Sequence, residues 1–251
     1  MVNITASVGL AGTNNEKDAV AVKQRLVDLG FSWLASNLGV DPKIGPETIR
    51  AIQLFQAIKN GFDILANLKN DGFIEPNGDT HLWLQAANAP RWIRMPAGSA
   101  NEGYVNDEVA DTSDNHDFGT SWLADTLRAT GLAYRSGFLQ ANPGTSLMHV
   151  NDASMPRGGD TPDHVGHETG LVCDVFLPRL DGNSGKIVVK SPQYDRAAMR
   201  AILKFFLAQP LADRVFLNDP VLVTEGLCRT AAGHDNHAHL EIKPPVRILQ
   251  G

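Results

Sequence analysis

Seven residues, Leu171-Val172-Cys173-Asp174-Val175-Phe176-Leu177, constrain this chain more than any other stretch. The run is apolar and β-branched, which predicts a buried strand, yet an aspartate interrupts it. A carboxylate in such a place is costly unless something compensates it. Either an arginine pairs with Asp174, or the residue lies at a sheet edge, or a cation sits beside it.

A second stretch, "GHDNHAHLEI" at 233–242, holds three of the eight histidines. The alternation running into Leu240 and Ile242 predicts another strand. Residues two apart on a strand face the same side, so His237 and His239 point together. Imidazole is the commonest metal ligand, although clustered histidines are also compatible with a solvated or core-edge position. Three histidine and carboxylate ligands with an open fourth position are a zinc-type catalytic set, whereas structural zinc sites close with four ligands, often thiolates.

Taken in order, "SMPRGGDTPDHVGHETGLVCDV" and "GHDNHAHLEI" resemble the penicillin-insensitive murein endopeptidases. These belong to a wider group of zinc peptidases that includes the D-alanyl-D-alanine peptidases and lysostaphin-type enzymes. The resemblance covers roughly residues 100–245. The group's pattern of His-x6-Asp and a distal His-x-His falls on His167, Asp174 and His239, which implies one Zn2+ per chain. It also matches Arg157, Gly158, Gly159 and His164, and His234, Asp235 and Asn236 beside His237. Cys173 departs from the pattern, where an aliphatic residue is expected, but should face away from Asp174.

The implied activity is hydrolysis of an amide bond in the peptide cross-links of peptidoglycan, between D-alanine and the diamino acid. A D,D-carboxypeptidase, an L-alanyl-D-glutamate endopeptidase and a non-catalytic wall-binding protein remain as alternatives. Hydrolysis needs a general base for the water proton. His237 is the candidate, on the same strand face as His239. His234 and His164 are expected to orient the base or bind the tetrahedral intermediate, and Ser154 to contribute a hydrogen bond. Arg157 either binds a substrate carboxylate through its planar fork or braces its loop.

The first hundred residues differ in character. Val22, Leu26 and Leu29 have helical spacing before Gly30, a stop signal. "IGPETIRAIQLFQAI" at 44–58 starts a second helix with Pro46 just inside. A third, shorter helix carries Trp83. Gln24–Gly30 and Ile44–Gln56 resemble the three-helix peptidoglycan-binding domain, which implies either wall binding or a bracing role. The expected fold is α+β: a small N-terminal three-helix domain at 1–95, then an α+β catalytic domain at 96–251 with a central antiparallel sheet. A linker is expected at about 88–117, with His116 on the surface or in a cap.

Within the second domain, 120–131 reads as a helix stopped by Gly131, and 194–208 as another, with Met199, Ile202, Leu203 and Phe206 on one face. Strands are expected near 147–150, 171–177, 187–190, 214–217 and 237–242. Cys173 and Cys228 do not define a disulfide framework; they could pair, and Cys228 could bind metal.

The net charge of −6 over 251 residues argues against a nucleic-acid partner. No apolar run reaches the roughly 18–20 residues of a membrane span. "MVNITASVGLAGTNNEK" lacks the basic and apolar regions of a secretory signal, although the implied substrate lies in the periplasm or cell wall. Either the chain is trimmed, or a phage lysis system or a specialised secretion machine delivers it; an immunity protein or delivery machinery would then be a further partner.

Overall fold

In the computed structural model, which describes residues 2–111, 115–162 and 164–250, the helical spacings of the first third form α1 (Glu16–Asp28), α2 (Pro46–Asn60) and α3 (Asp79–Gln85). Val22 and Leu26 of α1 are fully buried. Pro46 is tolerated at the start of α2 because the first turn leaves its N–H unbonded anyway. Gly61 ends that helix in the left-handed region at φ 74°. Two short strands, β1 (Val8–Gly9) and β2 (Phe73–Ile74), pair antiparallel beside these helices.

Residues 88–117, expected as a linker, carry regular structure; positions 112–114 lie outside the described residues. The segment contains β3 (Trp92–Arg94), β4 (Gly98–Ser99) and β5 (Tyr104–Asn106). Burial of an aromatic ring explains part of this. Trp92 is buried, its amide donates to the Leu29 carbonyl at 2.7 Å, and its indole N–H donates to Pro156 O at 2.9 Å. The buried residues of the N-terminal helices and of the C-terminal sheet form one hydrophobic cluster.

β3 pairs with β6 (Phe118–Thr120). The main sheet has six strands in the order β4-β5-β7-β8-β10-β9, adding β7 (Met148–Val150), β8 (Val172–Phe176), β9 (Ala212–Phe216) and β10 (His237–Ile242). The sheet is mixed, which corrects the expectation of an antiparallel one. β5 and β7 run parallel, and helix α4 (Ser121–Tyr134) supplies the long crossover that a parallel pair requires. The fold is α+β.

α4 runs through Gly131, which was expected to end it. That glycine serves close packing: a Cβ there would lie 2.5 Å from the Glu102 carbonyl oxygen. α5 (Arg196–Leu207) packs against α4, and Asp195 caps it by accepting from the Ala198 amide. α6 (Pro220–Thr224) follows β9. Residues 187–190 form no strand. Val189 is tied by its amide to Asp235 O, and the chain turns at once through a Ser191 N–H to Val188 O bond. Among the described residues, no helix is long and apolar enough to cross a membrane.

Candidate metal centre

The centre lies where β8 and β10 pair. Their register sets His239 opposite Asp174, His237 opposite Phe176 and Leu240 opposite Cys173. Ala238, Leu240 and Ile242 are buried on one face of β10, leaving His237, His239 and Glu241 on the other. Cys173 is buried on the face away from Asp174; it and Cys228 are free thiols, and the Cys228 thiol meets the Leu217 carbonyl at 3.4 Å.

His167 arrives from a loop with its backbone at φ 60°, in the left-handed region. Such a conformation costs a non-glycine residue about 1–3 kcal/mol and persists only where the surroundings over-determine it. Here they do. The His167 amide donates to Asp63 Oδ2 at 3.0 Å, its carbonyl accepts from Ser154 Oγ at 2.5 Å, and its Nδ1 meets Ala153 O at 2.9 Å. A carbonyl only accepts, so Nδ1 carries the proton and Nε2 offers a lone pair.

That lone pair enters a tight convergence. His167 Nε2 is 3.0 Å from His239 Nδ1 and 3.5 Å from Asp174 Oδ1, and His239 Nδ1 is 3.0 Å from the same oxygen. Ligands held at about 2.0–2.2 Å in a tetrahedron stand roughly 3.3–3.5 Å from one another. The 3.5 Å separation falls in that range and the two of 3.0 Å fall just short of it, so the three atoms lie near the spacing that one small divalent ion imposes. The outer partners agree: His167 Nδ1 is held by a carbonyl, and His239 Nε2 lies 3.6 Å from Glu241 Oε1, which is itself paired with Arg214.

Four imidazoles surround the buried Asp174 carboxylate. Oδ1 faces His167 and His239, whereas Oδ2 lies 3.4 Å from His237 Nε2 and 4.0 Å from His164 Nδ1. Burial alone would raise the Asp174 pKa, but the imidazoles of His167 and His239 beside its carboxylate hold it well below the usual range. Burial opposes charge on His239, yet Asp174 and Glu241 outweigh it and push the ring up to about 9. Burial dominates at His237 and lowers its pKa, leaving a neutral ring at pH 7.

The centre opens into a cleft of about 440 Å³. Asp174, His237, His164, Asp152 and Phe176 line it, as do Asp107 and Lys186. His234 is half-buried, its ring 5.0 Å from that of His237 and 5.4 Å from that of His239, with Nδ1 against Ala232 O at 2.8 Å. Arg157 is not among the lining residues; its guanidinium is engaged by Glu47 of α2 at 2.9 Å. Ser154 is fully buried beneath the His167 loop, also accepting from the Gly170 amide at 2.8 Å. His116, expected on the surface or in a cap, is fully buried, because the chain before β6 runs under His164, with ring centroids 5.6 Å apart.

Asp152 and Asp63 are among the carboxylates here that the sequence did not mark. Asp152 follows β7 and lies 3.2 Å from His164 Nε2. Asp63 comes from the N-terminal half and, through the His167 amide, holds the loop that carries this ligand. Burial pushes Asp63 up to about 6. The adjoining backbone reinforces the contact: Glu168 N–H donates to Asp63 O at 3.2 Å and Leu65 N–H to Glu168 Oε2 at 2.7 Å. The polar residue ending a strand was the available signal for Asp152; nothing local marks Asp63.

Asp63→Ala is expected to weaken any divalent-cation binding at this centre about 10–100-fold, the usual cost of losing an outer partner. Asp63→Asn, which keeps an oxygen acceptor, should recover most of the loss. Competition against a chromophoric chelator measures both, and wild-type affinity in Asp63→Ala would remove this residue from the centre.

No protein-family profile matches the chain, and no curated protein matches it.

Proposed function

We propose that the protein is a zinc-dependent peptidoglycan hydrolase that cuts an amide in the peptide cross-links, between D-alanine and the diamino acid. The observation that carries this reading is the convergence of His167 Nε2, Asp174 Oδ1 and His239 Nδ1 within 3.0–3.5 Å at the edge of an open cleft. Two histidines and one carboxylate beside open space are a donor set of the catalytic kind. A zinc ion bound there would supply an activated water and a Lewis acid for the scissile carbonyl.

The chain's own residues supply the rest. His237, neutral and half-buried on the ligand face of β10, takes the water proton at Nε2 and returns it to the leaving amine. Its Nδ1 is steadied by Asn236 Oδ1 at 2.8 Å. His164, backed by Asp152, faces the same cleft and is suited to the oxyanion or to orienting the substrate. His234 packs behind His237. The carboxylate-binding role expected of Arg157 suits Lys186 better, since Lys186 lines the cleft and Arg157 is committed to Glu47. Wall holding falls to the N-terminal helices, where a polar groove of about 340 Å³ is lined by Gln56, Lys59, Asp71 and Phe73. The substrate of this reading lies outside the cytoplasm.

Purified sacculi digested with the protein and analysed by mass spectrometry test this. Cross-linked muropeptide dimers should convert to monomers, a chelator should stop the conversion, and added Zn2+ should restore it. Shortened monomer stems with intact dimers would make the protein a carboxypeptidase. Cleavage between L-alanine and D-glutamate would move the scissile bond. No product at any zinc level would leave only wall binding.

A further inference from the structure

We infer that the chain holds a second divalent-cation site, built from His116, Asp152 and His164, beside the one formed by His167, Asp174 and His239. The three residues come from separate segments: the chain entering β6, the end of β7 and the loop before β8. Folding nevertheless brings one donor atom of each to within 4.8 Å of the others. The Asp152 carboxylate divides between the rings, Oδ1 at 3.7 Å from His116 Nδ1 and Oδ2 at 3.2 Å from His164 Nε2.

Two imidazoles and a carboxylate suit borderline divalent ions such as Zn2+ or Co2+. All three residues line the cleft, whose lining also includes Asp107, Glu108 and Asp111. A concave surface with that excess of negative charge concentrates cations. Asp174 links the two sets: Oδ1 faces the first, and Oδ2 is 4.0 Å from His164 Nδ1. The His116–Asp152 separation of 3.7 Å exceeds the 3.0–3.5 Å of the first set, so the second ion binds more weakly and fills later. This site requires no hydrolytic activity and stands apart from the peptidase reading.

Zn2+ titration of chelator-stripped protein by calorimetry, with bound metal counted by mass spectrometry, tests it. Wild type should take up two ions in sequence, the second at least tenfold more weakly. His116→Ala should keep only the tight ion, and His239→Ala only the weak one. Co2+ absorption, read during the same titrations, should show two successive spectra in wild type and one in each variant. One ion in wild type, unchanged in His116→Ala and lost in His239→Ala, would overturn the second site and leave the first intact. One ion lost in His116→Ala and kept in His239→Ala would do the reverse. Because His116 is buried, thermal melting accompanies each variant, and Asp152→Asn, at a partly exposed position, carries the same test if His116→Ala does not fold.

Discussion

On the proposed hydrolase reading, His237→Ala should lower the turnover of cross-linked muropeptides about 10²–10⁴-fold, the usual contribution of a positioned general base, without lowering zinc affinity at the His167–Asp174–His239 set. The ring shares the β10 face with His239 but sits one pleat further along, opposite Phe176. Its Nε2 approaches Asp174 Oδ2, whereas the ligand cluster uses Oδ1. Removing it therefore takes nothing from the three converging donors. The pH profile adds a readout that a structural role would not move. Because burial lowers the His237 pKa below its ordinary 6.5, wild-type kcat should hold through neutrality and fall only in the acid range. The variant should lose that acid limb. Full activity with an unchanged profile would exclude His237 as the base; lost zinc would make it a ligand.

Zinc affinity should rise about tenfold per pH unit, reaching a plateau near pH 9, because the ion must displace one proton from His239. Between pH 6 and pH 9 the gain is on the order of a thousandfold. The sign follows from linkage. In the metal-free protein the His239 value is raised, so the stability from its contacts with Asp174 and Glu241 is complete below about pH 6.5 and fades as pH climbs through about 9. Metal-free protein should accordingly melt at lower temperature at pH 9.5 than at pH 7, while the rise in melting temperature on adding zinc should grow. His239→Asn should flatten the affinity profile. A wild-type affinity independent of pH from 6 to 9 would mean that no proton leaves this cluster when zinc enters.

The strands that carry the cluster were readable because period two is unambiguous where one face is buried. Val172, Asp174 and Phe176 had to share a side, as did His237 and His239. Helices α1, α2 and α5 were marked by their spacing and by end signals such as Gly30 and Pro46. Other features carry no such local signature. β4 has two residues and β5 three, too few for any alternation to register. The parallel pairing of β5 with β7 depends on where α4 carries the chain. Gly131 looked like a helix stop because a glycine required for close approach and one required for a turn are spelled alike. Asp63 and His116 reach the centre only through tertiary packing, Asp63 across 104 positions to His167.

That long reach bears on anyone who would cut this chain between its helical first third and its sheet. Shuffling treats such chains as cassettes, with one N-terminal part exchangeable for another. Here the segment after α2 is buttoned onto the loop that presents His167, so a graft at the 95/96 boundary would discard the fastening along with that part. A transplant would need to begin upstream of Asp63, or to bring its own acid for that amide.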